Sequence, residues 1–178
     1  MGNLVIGLSG YARSGKDTVA DILVNNYSFT RLAFADKVRE FLYTSDEAVK
    51  FVVDEVGWER AKNMSSVRRA LQTTGLAARE VFGQDFWVDQ IVKNLDDLNL
   101  VVITDVRFKN EADKIRNRGG YVWRITRNGV GPVNDHVSEL DLDDYEFDLV
   151  LNNNHSLETL EKMVYDAYSD IFNSYAKV

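Results

Sequence analysis

Gly10-Tyr11-Ala12-Arg13-Ser14-Gly15-Lys16-Asp17-Thr18 stands between an apolar run, Asn3–Ser9 (NLVIGLS), and a stretch in which Val19, Ile22, Leu23 and Tyr27 recur at helical spacing. It fits the G-x-x-x-x-G-K pattern of a phosphate-binding loop in the context that pattern requires, a buried strand before it and a helix opening after it. The spacing has a physical reason. Glycines let the backbone curl until successive N–H groups point at one anion. The helix read from Gly15 to about Tyr27 adds positive potential at the same place. Gly10, Ser14, Gly15, Lys16, Asp17 and Thr18 are therefore candidate phosphate-binding residues, with Lys16 reaching the β- and γ-phosphates of a bound nucleotide. The loop departs from the usual pattern after the lysine, where Asp17 stands in place of Ser or Thr and Thr18 follows. A carboxylate is a good hard-cation ligand. Asp17 and a shifted Thr18 both stand as ligands for Mg²⁺.

Outward from this loop the chain alternates strand and helix. Phe29–Ala35 (FTRLAFA) reads as a second strand and Asp36–Tyr43 as a helix. From Thr44 to about Leu98 only amphipathic runs occur, at Asp46–Val56, Ser66–Phe82 and Asp85–Leu95, which predicts a helical insert over 35–98. Asn99–Thr104 (NLVVIT) is a third strand, and Asn110–Arg118 a helix stopped by Gly119-Gly120. Tyr121–Thr126 and Asp148–Leu151 complete five strands, and Ser156 caps a final helix with a long apolar stripe. Asn128–Asp143, polar and Gly-containing, reads as a long lid-like loop, and the acidic run Asp141–Asp148 as a solvated face. Strands separated by helices predict an α/β fold, a parallel sheet flanked by helices, within a single domain over 1–178. Ligands of such sheets bind beyond the carboxyl ends of the strands, at the topological switch point.

A second motif, Thr104-Asp105-Val106-Arg107-Phe108-Lys109-Asn110-Glu111, follows the third strand. In phosphate-binding-loop proteins a carboxylate at such a strand end positions Mg²⁺ or its water shell, which makes Asp105 the candidate. Arg107 can clamp a phosphate bidentately, and Arg13 and Arg127 are further clamps. Asn110 and Glu111 either orient these groups or cap the helix that follows. In Ser66–Gly75, Arg68 and Gln72 are four residues apart and share a helix face. They read as an acceptor-phosphate and base-edge pair or as a solvated face. Trp87 reads as a base-stacking platform or as core packing. His136 lacks a metal-spaced partner and reads as a hydrogen-bonding loop residue, and the D-x-x-G of Asp54–Gly57 reads as chance.

Composition excludes several classes. A formal net charge of -7 is a poor match to a general nucleic-acid binder, which uses cations to displace counterions. There is no cysteine, hence no disulfide framework and no thiolate zinc site. No apolar run reaches membrane-spanning length and no signal-peptide pattern opens the chain, so a cytoplasmic protein without membrane partners is expected.

Together these residues resemble the deoxynucleoside monophosphate kinases of tailed bacteriophages. The resemblance spans nearly the whole chain: Gly15–Thr18 (GKDT), Phe34-Ala35-Asp36, Val67–Gly75 (VRRALQTTG), Phe86-Trp87-Val88, Asp105–Glu111, Asp135-His136-Val137-Ser138-Glu139 and Asp148-Leu149-Val150. It implies a five-stranded parallel sheet of the nucleoside monophosphate kinase kind, with ATP as co-substrate, Mg²⁺ as cofactor, a dNMP acceptor and a homodimer in the host cytoplasm. It further implies that Arg68, Gln72 and Trp87, with Arg107 and Glu111, serve the acceptor, that Lys16, Arg13, Asp105 and Arg107 are catalytic, and that 128–143 is the lid. The GKD loop is also similar to that of animal-type phosphomevalonate kinases, the first alternative. A nucleotide-dependent switch or binding module is the second.

Overall fold

The protein is described from a computed structural model covering residues 3–93 and 95–175. Five strands are present: β1 (Leu4–Ser9), β2 (Thr30–Leu32), β3 (Leu100–Ile103), β4 (Tyr121–Thr126) and β5 (Leu149–Asn152). All pair in parallel, in the order β2-β3-β1-β4-β5. The register places Leu4 beside Leu100 and Gly7 beside Ile103 on one edge of β1, and Ser9 beside Arg124 on the other. β1 is the topological switch point. The chain steps from it to β2 and β3 on one side, then crosses to β4 and β5 on the other.

Helices cover both faces of this sheet. Ile6 and Leu8 of β1 are fully buried against α1 (Lys16–Tyr27) and α9 (Leu157–Tyr175), through Val19, Ile22, Leu23, Leu160 and Val164. Each such aliphatic side chain contributes about 1.5–3 kcal/mol on burial. Gly7 points to the opposite face by strand alternation. A Cβ there would lie 2.7 Å from Ile115 Cδ1 of α7 (Lys109–Arg116) and 2.8 Å from Val106 Cγ2, so glycine lets α7 seat directly on the sheet.

The chain forms two compact units, one built of residues 1–32 with 97–178 and the other of 33–96. The second is helical among its described residues: α2 (Phe34–Ser45), α3 (Glu47–Val56), α4 (Trp58–Ala61), α5 (Ser65–Phe82) and α6 (Phe86–Val92). Asp46 caps α3, its carboxylate accepting from the N–H groups of Ala48 and Val49 at 3.0 Å. The unit's core is Val38, Leu42, Val49, Val53, Ala61, Val67 and Trp87.

Two sequence expectations are corrected. The second strand spans Thr30–Leu32 rather than Phe29–Ala35, because Phe34 already opens α2 and the Asp36 N–H closes on the Ala33 carbonyl at 3.1 Å. The period-two alternation of FTRLAFA runs across that boundary. The segment 128–143 contains a short helix, α8 (Val137–Leu140), capped by His136, whose Nδ1 accepts from the Ser138 N–H at 3.2 Å. The acidic run Asp141–Asp148 is largely exposed, as the sequence reading has it, and its acids also meet cations. Arg116 binds Asp148 at 2.6 Å, Lys109 binds Asp144 at 2.8 Å, and the Lys109 N–H donates to Asp141 at 2.8 Å. The acids stand opposite cations of β4 and α7, a pairing that local composition does not reveal. No described helix is long and apolar enough to cross a membrane.

Candidate active site

The loop between β1 and α1 turns through backbone conformations that glycine favours, with φ of 146° at Gly10 and 105° at Gly15. Its surroundings crowd a side chain at both, against backbone at Gly10 and against a side-chain amide at Gly15. A Cβ at Gly10 would lie 2.4 Å from the Ile125 carbonyl oxygen, and one at Gly15 would lie 2.1 Å from Asn153 Nδ2. Arg13 at the loop tip is exposed and also has a positive φ, 69°. The curled loop leaves the Ser14 hydroxyl buried without a hydrogen-bond partner. Such a group suits a phosphate oxygen.

Lys16 folds back over the loop. Its ammonium donates to the Gly10 carbonyl at 2.6 Å and the Tyr11 carbonyl at 2.9 Å. Burial, followed by the positive charge of Arg107, lowers its pKa from 10.5 to about 8, while the charges of Asp17, Glu139 and Asp105 act in the other direction. This one lysine therefore senses both sequence motifs. The reason is the β1–β3 pairing, extended by a bond from the Val106 N–H to the Leu8 carbonyl at 3.1 Å, which sets Asp105 and Arg107 beside the loop.

Arg107 is held at both ends. Glu111, buried in the first turn of α7, accepts from the Arg107 N–H at 2.7 Å and the Phe108 N–H at 3.0 Å. Glu139 of α8 accepts from the Arg107 guanidinium at 2.6 Å. Glu111 thus makes the capping contacts that were one of its two sequence readings. Arg124, on β4, enters the same cleft. It donates to Ser9 Oγ at 3.1 Å and Asp143 at 3.0 Å, and its guanidinium lies 4.7 Å over the Tyr11 ring. Tyr11 donates to the same Asp143 carboxylate at 2.7 Å, and burial, then this bond, raises its pKa. The cleft is walled by Gly10, Tyr11, Arg107, Arg124 and Glu139. Arg127 is exposed just beyond β4.

The two metal candidates after the lysine differ in surroundings. Asp17 is largely exposed and pairs with Arg31, which also binds Asp21 at 3.1 Å. Thr18 is half-buried in the first turn of α1. Magnesium sites of this kind use one or two carboxylates together with substrate phosphates. Asp105, half-buried and close enough to act on Lys16, is a carboxylate of the kind such a site uses, so the residues present are compatible with the ion.

In the helical unit, Arg68 is exposed and Gln72 half-buried on α5. Arg69, Thr73 and Thr74 line an open groove with Asp46, Ser65 and Ser66. Trp87 is 6% exposed, donates from Nε1 to the Gly75 carbonyl at 3.0 Å, and packs edge-on against Phe41 and Phe86. Its surroundings are those of core packing, one of the two sequence readings of Trp87. The sequence reading missed Asn153, whose side-chain amide donates to the Ser14 carbonyl at 2.9 Å. A lone asparagine after a strand carries no signal by itself.

Comparison with known proteins agrees with this geometry. The profile of the deoxynucleotide monophosphate kinase family matches residues 4–57 and 46–164. A protein of Acanthamoeba polyphaga mimivirus, assigned as a deoxynucleotide monophosphate kinase, is 32% identical over 177 residues, covering 87% of this chain and 91% of its own. The deoxynucleotide monophosphate kinase of Escherichia phage RB69 is 32% identical over 101 residues, 53% of this chain and 41% of its own. Among solved structures, dephospho-CoA kinase from Campylobacter jejuni superposes with a TM-score of 0.51 at 13% identity, covering 96% of this chain and 98% of its own. That last likeness speaks for the fold alone. Neither the phosphomevalonate kinase nor the switch reading is favoured by these matches. With the phosphate-binding loop, the flanking parallel strands and a family profile matched along most of its length, the chain belongs to the deoxynucleotide monophosphate kinase family.

Proposed function

We propose that this protein transfers the γ-phosphoryl of ATP to a deoxynucleoside monophosphate by in-line displacement, with the loop at Gly10–Thr18 holding the donor. The observation that carries the reading is the meeting of two motifs at one lysine, Lys16 in the field of both Asp105 and Arg107.

The acceptor phosphate oxygen is already anionic near neutral pH, so no strong base is required. Catalysis then rests on positioning and on cations around the moving phosphoryl group. Lys16 exchanges its two loop carbonyls for β- and γ-oxygens. Ser14 Oγ gains the partner it lacks. Arg107, with Arg13 and Arg127, clamps donor or acceptor phosphate. Glu111 acts by fixing the backbone from which Arg107 extends. Asp105, with Asp17 or Thr18, holds Mg²⁺ directly or through water. Bound there, Mg²⁺ neutralises charge on the β- and γ-oxygens. The ion pair to Arg31 favours Thr18 over Asp17 as the nearer ligand. Arg68 and Gln72 serve the acceptor, joined by Arg69 from the same helix. The segment 128–143 closes over the site as a lid. The homodimer and the host-cytoplasmic setting implied by the family resemblance belong to the same proposal, and sedimentation of the purified protein tests the former.

The decisive experiment is a coupled ADP-release assay with MgATP and dGMP, dTMP, dCMP, dAMP, GMP or mevalonate phosphate in turn. Strong stimulation by one or more deoxynucleoside monophosphates is expected. Slow ATP loss that no acceptor accelerates would overturn the reading.

A further inference from the structure

We infer that Asn153, in the corner between β5 and α9, is a positioning residue for the donor site, holding the phosphate-binding loop in the shape that receives ATP. The inference rests on the proposed use of that loop for the ATP phosphates, and on three features of the corner.

The first is a specific bond. Asn153 Nδ2 donates to the Ser14 carbonyl at 2.9 Å, across 139 residues of sequence. The acceptor is a backbone carbonyl, so only an N–H of the amide can face it, and the donor role does not depend on how the amide is oriented. The second is a fitted space. Asn153 Nδ2 lies where a Cβ of Gly15 would be, at 2.1 Å, so the side chain occupies room that the absent side chain of Gly15 leaves. The loop's second glycine thus leaves the room that a distant asparagine fills, while its own φ of 105° already favours glycine. The third is anchorage. The Asn153 N–H donates to the Thr126 carbonyl at 2.8 Å at the end of the β4–β5 pairing, and Asn154 Oδ1 accepts from the Asn128 N–H at 2.7 Å. The corner is therefore fixed to the sheet and reaches the chain on either side of Arg127.

These contacts meet at the residue between Arg13 and Gly15, where the loop turns into α1. Ser14 has its carbonyl tied to Asn153 and its hydroxyl buried without a partner. Fixing the carbonyl outward orients the peptide that follows, so the Gly15 N–H is held toward the phosphate side before the nucleotide arrives. Preorganisation of this kind lowers the cost of binding an anion on backbone N–H groups.

Asn153→Asp places a carboxylate oxygen against the Ser14 carbonyl, with no hydrogen between them at neutral pH. Asn153→Ala removes the donor without adding that repulsion. The expected order of MgATP affinity is wild type, then Ala, then Asp, with KM for MgATP raised at least about tenfold in Asn153→Asp. KM for the dNMP stays within about twofold, since the acceptor is proposed to be read by other residues. Binding of a fluorescent ATP analogue and thermal unfolding are measured on the same preparations, and Asn153→Ala carries the test if the Asp variant does not fold. ATP constants within about twofold of wild type in the folded variants would overturn the inference. Parallel loss of donor and acceptor affinity that tracks a lowered melting temperature would also overturn it, reducing Asn153 to a structural residue. If the wild type turns over no dNMP, the functional proposal fails, while analogue binding to the variants still decides this one.

Discussion

The cleft around the phosphate-binding loop and the first turns of α5 present their arginines in opposite ways. Around the phosphate-binding loop every named arginine but the exposed Arg13 and Arg127 is held by a partner: Arg107 by Glu139, Arg124 by Asp143 and Ser9, Arg31 by Asp17 and Asp21. On α5, Arg68 and Arg69 face solvent with no hydrogen bond or ion pair among the described residues. A held cation keeps its geometry ready for a phosphate, but a carboxylate has to be exchanged for it. A solvated cation has no such competitor, and orders only when its ligand arrives. The donor site is thus built in advance, whereas the acceptor candidates are available but unorganised.

The comparison can be broken at its strongest point with Lys16→Ala. Turnover should fall at least about a hundredfold in a folded protein, because the part-buried ammonium that bonds the loop carbonyls is lost. Unchanged turnover would mean that the loop does not carry the chemistry. Gly10→Ala should be the next most damaging change. The new Cβ meets the Ile125 carbonyl, which is backbone and cannot swing aside. A stability loss of roughly 1–3 kcal/mol in urea melts is expected, together with weaker ATP binding. A melt like that of wild type would show that the preorganised loop tolerates rearrangement.

On the helical side, Arg68→Ala should raise KM for the dNMP by about tenfold and leave thermal stability alone, as expected for an exposed cation that acts only on a bound phosphate. Equal effects on MgATP would erase the division between the two units. A pH profile sharpens the same division. Lys16 is charged below its pKa of about 8 and neutral above it. Raising pH therefore removes the positive charge that attracts phosphate, and kcat/KM for MgATP should decline through about pH 8, approaching tenfold per unit. With MgATP saturating, bound phosphates stabilise the ammonium, so the decline in kcat should move to higher pH. A flat profile between pH 7 and 9.5 would contradict the buried lysine. The smallest effect is expected for Trp87→Phe. Loss of the Nε1 bond to Gly75 should cost about 1 kcal/mol of stability and leave acceptor KM unchanged. A raised acceptor KM would restore the base-platform role.

Much of the sheet-bearing unit was legible because its signals are local. Leu4–Ser9, the glycines at 10 and 15, and Leu100–Ile103 followed by Asp105 each declare a strand end or a loop within a few residues. Tyr121–Thr126 was read to the residue. The helical insert was legible as a class, since amphipathic period alone marks α3 and α5, but the short α4 carries too few residues to show a period. Trp87 could not be assigned from sequence, because burial depends on which residues from α2 and α6 meet around it. The acidic run 141–148 was legible as an exposed face, but the counter-charges that α7 and β4 set against it were not, because they come from distant parts of the chain.

By itself the sequence determined a parallel α/β sheet and a phosphate-binding loop at the end of its first strand, since these rest on short-range chemistry that any fold must satisfy, while the family showed as a resemblance of ordered motifs. Tertiary structure decided that Asp105 and Arg107 lie close enough to act on Lys16, that Glu139 and Asp143 occupy the cleft arginines, and that Asn153 bonds the Ser14 carbonyl. Those groups are far apart in the chain, and the strand order β2-β3-β1-β4-β5 brings them together.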